Sequence, residues 1–402
     1  MRFLCLTFLA LILISGPGLI SSAQAVCPQP VTNTNPFVNL PCLTDDPRWA
    51  KAFSLWDKRA DDDELMAAVR IFESLAKDKP DCLEAHLWLE RSYYMAAVRA
   101  RGQKKEEWAK KAVAEADRAL KLDPDSGFAR QWRWSAIILS RQFTEKEFHE
   151  IRDFSAKYAH LRELPVPEDD PLWAKALIHW DARYRYEEGI KAIAVFEKLE
   201  KSYPDRIEPK LWLLRSNYWM HYIESEEKDK ARWCKIATEW GHKALEMEPR
   251  NPAANYLTAS ALGQYGTHTS FLNYVRHSLE IAQRLTVTME EDPNYYYGGI
   301  SQYLALAIAR AGTVVEKTLA IVGFDMDLIL RSTIFASKRE PRYLRNFYAL
   351  GELYIKQGRM SEAREMLEIV INSDPAELWQ MEPENRIVQK LAKKLLNEQF
   401  ND

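Results

Sequence analysis

The chain has 402 residues, 47% of them apolar, and a formal net charge of −3. That near-balance of charge argues against nucleic acid as a partner, since a phosphate-binding surface normally leaves a basic excess. About 350 residues of helical pattern supply an ample core.

The N-terminus opens with Arg2, an apolar run from Phe3 to about Ile14, a Gly16-Pro17-Gly18 break and the small-residue site Ala23-Gln24-Ala25. This predicts a secretory signal peptide over residues 1–25, cleaved after Ala25. The run is shorter than the roughly 20 residues of a spanning helix. No later stretch is both long and free of charge, so the expected location is the periplasm. Losing Arg2 would take the net charge from −3 to −4.

Residues 26–44 form a Pro/Asn-rich arm bracketed by Cys27 and Cys42. In an oxidising compartment a bridge between them would contribute on the order of 3 kcal/mol. Two unpaired thiols on a loose leader is the alternative. Lipid anchoring at Cys27 is disfavoured, because Gln24, Ala25 and Val26 do not make a lipidation motif. Cys82 and Cys234 lie in helical patterns and read as buried thiols.

From Asp46 onward the chain repeats itself. Asp46-Pro47-Arg48-Trp49-Ala50-Lys51-Ala52 recurs 124 residues later as Asp170-Pro171-Leu172-Trp173-Ala174-Lys175-Ala176. The offset carries Trp56 onto Trp180, Phe72 onto Phe196 and Leu87-Trp88-Leu89 onto Leu211-Trp212-Leu213, then becomes 125 for Trp108 and Trp233. Residues 46–141 and 170–266 are therefore two copies of one unit, joined by a helix and loop over 142–169.

Within each copy the apolar spacing is helical and the stops are proline turns. Ala68, Phe72, Leu75 and Pro80 step by 4, 3 and 5, as do Ala112, Ala116, Ala119 and Pro124. Small residues one turn apart admit a neighbouring helix, and proline ends the element. That is the second helix of a tetratricopeptide unit. In the C-terminal module, 267–402, the full pattern appears over 343–376: Phe347, Leu350, Gly351, Tyr354, Gly358, Ala363, Leu367, Val370 and Pro375. The predicted fold is all-α, a tetratricopeptide-like helical repeat superhelix (α-solenoid) of 16–18 helices in one continuous domain.

No phosphate loop, nucleophile elbow or metal-spaced cysteine pair occurs, so no catalytic residue, cofactor or metal is expected. His86 and His221 read as hydrogen-bonded core histidines. The acidic clusters at Asp61 and Asp170 read as helix caps. Eight tryptophans fall in the duplicated pairs and read as packing. Those present in one copy only, Trp132, Trp134, Trp219 and Trp240, are candidates for a groove that meets a ligand or partner, with Trp219 and Trp240 foremost. The other candidate is Asp292-Pro293-Asn294-Tyr295-Tyr296-Tyr297-Gly298-Gly299, before a helix over 300–310, where three aromatics adjoin two glycines. A turn whose tyrosines merely plug the superhelix is the competing reading.

The order of signal peptide, helix pairs, Asp-Pro-Asn-Tyr-Tyr-Tyr-Gly-Gly turn and C-terminal run from Tyr343 to Leu396 resembles the periplasmic T component of TRAP-type transporters. The resemblance implies a non-catalytic protein that associates with the transporter's periplasmic solute-binding protein and assembles as a trimer. It also implies an apolar or organic-acid ligand, and indirect membrane association through the transporter subunits. Two features depart from the resemblance: many members are lipoproteins, whereas the residues before Cys27 fit that poorly, and the duplication of about 124 residues is not accounted for by it. The alternative function is a general protein–protein adaptor of the cell envelope.

Overall fold

The computed structural model describes residues 46–140, 143–158, 164–167, 169–311 and 325–400, and every regular element among them is helical. The signal segment, the arm, Cys27 and Cys42 lie outside the described residues. Instead of one continuous domain, the helices form two compact units, 1–144 with 316–328 and 145–315 with 329–402. The boundary at Thr144 falls in the segment between the two copies, so the copies lie in different units.

The first unit contains α1 (Pro47–Asp57), α2 (Asp62–Asp78), α3 (Leu83–Arg99), α4 (Gln103–Leu122) and α5 (Gly127–Ser140). Each packs on the next, as short polar turns between amphipathic helices dictate. The starts are side-chain capped. Asp46 accepts from the Arg48 amide at 2.9 Å, and Asp61 from those of Asp63 and Glu64 at 2.8 and 3.2 Å. In the second copy Asp170 does the same for Leu172 at 2.8 Å. The acidic clusters are thus helix caps.

The duplicated tryptophans are inter-helix packing. Trp88 stacks on Phe72 at 5.6 Å and 12° and meets Trp56 edge-on at 5.7 Å and 81°. Trp212 repeats both contacts, on Phe196 at 5.2 Å and 16° and on Trp180 at 5.6 Å and 80°. Cys234 is buried, which pushes its thiol up to about 12, whereas Cys82 is only partly buried because it precedes α3 at the helix end.

The second unit holds α6 (Glu145–Tyr158), α7 (Pro171–Asp181), α8 (Tyr186–Ser202), α9 (Glu208–Ile223), α10 (Glu227–Met247), α11 (Pro252–Thr269) and α12 (Phe271–Glu291). There follow α13 (Tyr295–Ala311), α14 (Met326–Arg339) from residue 329, α15 (Arg345–Lys356), α16 (Met360–Asn372), a 3-10 segment (Pro375–Met381) and α17 (Glu382–Phe400). Small residues set the close crossings: a Cβ on Gly241 of α10 would lie 2.1 Å from Thr258 Oγ1 of α11. At the end of α15, Gly358 takes φ +73°, its amide reaches the Ile355 carbonyl and that of Arg359 the Tyr354 carbonyl. This paired closure satisfies the last helical carbonyls and turns the chain into α16.

One core group in the first unit is out of balance. Glu90 of α3 is fully buried, and no described residue hydrogen-bonds its carboxylate. Burial pushes its pKa well above the ordinary 4.5, Arg133 opposes this, and Asp117 and Glu115 add to it. The folded state therefore holds a proton that the unfolded chain releases, and stability falls as pH rises above about 4.5, by up to about 1.4 kcal/mol per unit until the folded pKa is passed. The second copy places Leu214 at this position, equally buried. Glu90→Leu is expected to raise stability by about 1–3 kcal/mol at pH 8 and to flatten the pH dependence. Melting curves at pH 5 and pH 8 test this; equal slopes for the two proteins would refute it.

Candidate functional site

The tyrosine string sits where α12 gives way to α13. Asp292 caps the turn, its carboxylate accepting from the Asn294 amide at 3.1 Å. The next residues do not simply begin a helix: Tyr296, Tyr297 and Gly298 have φ of 56°, 57° and 86°, one left-handed turn inside the element. Glycine adopts this freely, but each tyrosine costs about 1–2 kcal/mol there.

Surrounding contacts hold the strained residues. The buried Asn346 of α15 donates to the Tyr297 carbonyl at 3.0 Å, and its own Oδ1 accepts from Gln302 at 3.1 Å. The rings of Tyr296 and Tyr297 pack against Tyr343, Leu378 and Met381. Tyr296 stacks on Tyr256 at 5.3 Å and meets Tyr343 edge-on at 6.0 Å. Both glycines are required by space: a Cβ on Gly298 would lie 2.4 Å from Ala336 Cβ, and one on Gly299 2.5 Å from the Tyr256 ring.

Beneath the turn lies a buried ion cluster. The Tyr296 hydroxyl accepts from Arg215 Nη2 at 2.6 Å. Arg215 also donates to Glu384 Oε1 of α17, and Arg183 donates to Glu384 Oε2 and to the Gln380 carbonyl, both at 2.6 Å. The side chains of Arg183, Arg215 and Glu384 are 1–3% exposed. Burial alone would raise the Glu384 pKa, but Arg183 and Arg215 outweigh it and hold the carboxyl below its ordinary value. Both guanidiniums lie over the Trp180 ring, at 4.2 and 5.0 Å.

The structure thus brings together Tyr295, Tyr296, Tyr297, Gly298, Gly299 and, through Arg183, Trp219. Trp219 is buried, and its indole N–H donates to the Arg183 carbonyl at 2.9 Å. It is a support for the ion cluster and not a groove wall. Trp240 stands apart on α10, half-buried, with Lys243 of the same helix 3.8 Å over its ring. Trp132 and Trp134 are buried in the first unit.

Sequence reasoning missed Arg183, Arg215 and Glu384. The 124-residue offset carries a usable signal for two of them: Arg59 and Arg91 occupy the matching places, at 4.6 and 5.4 Å over Trp56. His86 is a core histidine, paired with Glu115 at 2.9 Å and the Pro80 carbonyl at 2.9 Å. Burial keeps His221 neutral, with a pKa lowered to about 3; the Tyr218 carbonyl opposes this, and His268, Arg345 and Arg215 reinforce it. Among the described residues no group of three or more His, Cys, Asp or Glu side chains is placed to hold a metal ion.

Residues 345–376 match the tetratricopeptide repeat family, which makes α15 and α16 a helix pair of that kind. No curated protein matches the chain. Among solved structures, the human IFIT1 dimer with PPP-AAAA is 14% identical over 80% of this chain and 72% of its own, with a TM-score of 0.33. The human IFIT1 dimer with m7Gppp-AAAA is also 14% identical, over 80% and 71%, with a TM-score of 0.33. Yeast Tom70 is 11% identical over 89% and 91%, with a TM-score of 0.19. Likeness at this level is no basis for assigning a function.

Proposed function

We propose that this protein is a non-catalytic, exported binding scaffold. In this reading it is the periplasmic T component of a TRAP-type transporter, partnered with the solute-binding protein and holding an apolar or organic-acid ligand. The observation that carries the reading is the pair of left-handed tyrosines, Tyr296 and Tyr297, held over the Arg215–Glu384–Arg183 cluster. Backbone strain of this size persists only where the surroundings over-determine it, and such places are characteristically ligand clamps. The signal segment 1–25, the trimeric assembly and the indirect membrane association belong to the same reading and rest on the family resemblance.

The experiment is affinity capture of the tagged, exported chain from periplasm. Recovery of a solute-binding protein is the expected result, weakened by Gly298→Ala. The match over 345–376 favours a second reading, a general envelope adaptor that grips a peptide segment. Capture of outer-membrane assembly factors with no solute-binding protein would select that reading and remove the first.

A further inference from the structure

Two side chains of α3, His86 and Glu90, stand one helical turn apart on one face. Both are held protonated by what surrounds them. His86 meets two acceptors: Nδ1 is 2.9 Å from Glu115 Oε2 of α4, and Nε2 is 2.9 Å from the Pro80 carbonyl. The other Glu115 oxygen accepts from Arg118, as an ionised carboxylate does. A neutral imidazole donates through one nitrogen only, so two acceptors mark the imidazolium. The Glu115 carboxylate raises the His86 pKa above 6.5, helped by the Pro80 carbonyl and opposed by burial and Arg118.

Glu90 is the complementary case. It is 0% exposed, and neither of its oxygens has a donor. The packed elements supply none. Glu115 and Asp117 of α4 are acidic themselves, Arg118 is spent on Glu115, and Arg133 of α5 donates to Asp117 at 2.7 Å. Glu73 of α2 accepts from the Tyr93 hydroxyl at 2.8 Å, and Arg91 of α3 lies over the Trp88 and Trp132 rings at 5.8 and 5.3 Å. A buried carboxyl without donors is kept as the neutral acid.

The second copy is an internal control. Lys210, Leu214 and Trp240 occupy the places of His86, Glu90 and Glu115. Lys210 keeps the tie to the proline turn by donating to the Pro204 carbonyl, while Leu214 and Trp240 carry nothing that titrates. The repeat fold therefore does not itself require the two protons.

We propose that the α3–α4 interface of the first unit is a two-proton latch, closed with an imidazolium at His86 and a neutral carboxyl at Glu90, and opened by rising pH. The sign follows from both groups. The open chain releases the Glu90 proton above about 4.5 and the His86 proton above about 6.5, whereas the closed interface retains them. The open fraction therefore grows up to about tenfold per pH unit at first, and up to about a hundredfold per unit above 6.5, until the folded values are passed. Ionised Glu90 then faces Glu115 and Asp117 as a like charge. The latch is independent of the partner and ligand readings above.

The test is amide hydrogen exchange on the full exported chain at pH 5.5 and pH 8.5, corrected for intrinsic rates, together with 15N NMR of the histidines. Protection of α3 and α4 is expected to fall at least about tenfold between the two pH values, with a smaller change across α9 and α10. Glu90→Gln should reduce that fall, and the pair Glu90→Leu/His86→Lys, which copies the second repeat, should abolish it. The signal lost in His86→Lys should be that of an imidazolium at pH 7. Three results would overturn the latch: an equal or larger change across α9 and α10, a fall unaltered by Glu90→Gln, or a neutral His86 ring at pH 7. The first and last readings need no stable variant of Glu90.

Discussion

Glu384→Gln is expected to destabilise the second unit by about 3–5 kcal/mol, because it leaves Arg183 and Arg215 buried against a neutral amide. Loss of helical circular dichroism in urea reads this directly, and a change under about 1 kcal/mol would show that the pair is solvated or otherwise compensated. Adding Arg183→Met and Arg215→Met should restore most of the loss, since a whole buried ion triad can be replaced by apolar groups at little cost. The pH dependence has a fixed sign. Glu384 has a folded pKa below its ordinary value, so its contribution is complete above about 4.5 and fades as pH falls through the folded pKa. The acid limb of the stability profile should therefore shrink in Glu384→Gln.

Gly298→Ala combines two penalties. The residue sits at φ +86°, which costs an L-residue about 1–2 kcal/mol, and the new methyl would meet Ala336 Cβ at 2.4 Å, worth about 1–3 kcal/mol of overpacking. Gly102→Ala separates them, because Gly102 has φ +55° with nothing within 4 Å of a built Cβ. The expected order of urea midpoints is parent, Gly102→Ala, then Gly298→Ala, with Gly298→Ala/Ala336→Gly recovering the packing share. Equal losses at the two glycines would mean that Ala336 simply moves aside.

Much of the fold is legible in the residues. Helical spacing, Asp caps and proline stops are local features, and the duplication exposes the Trp88 and Trp212 packing without any coordinates. The tetratricopeptide pattern from Phe347 to Pro375 is likewise local. The tyrosine turn stands out for its composition, but the left-handed backbone at Tyr296 and Tyr297 does not. Nothing in those side chains demands it, and Asn346, about 50 residues away, holds it. The ion cluster was hidden for the same reason: Glu384 is 169 residues from Arg215 and 201 from Arg183. Trp219 stands out in the sequence because it lacks a counterpart in the first copy, yet the buried ring is spent on supporting Arg183. Its uniqueness reflects what it braces and not what it exposes.

The distance along the chain between Glu384 and its arginines also sets an order in time. The arginines belong to the second repeat copy, whereas their carboxylate arrives on the last helix, α17. Until that helix docks, the copy carries two cations that cannot be buried, and its apolar faces stay open to water. Closure of this unit therefore requires α17, through contacts that span 169 and 201 residues. The stacks of Trp88 on Phe72 and Trp56 in the first unit, by contrast, connect residues only 16 and 32 positions apart.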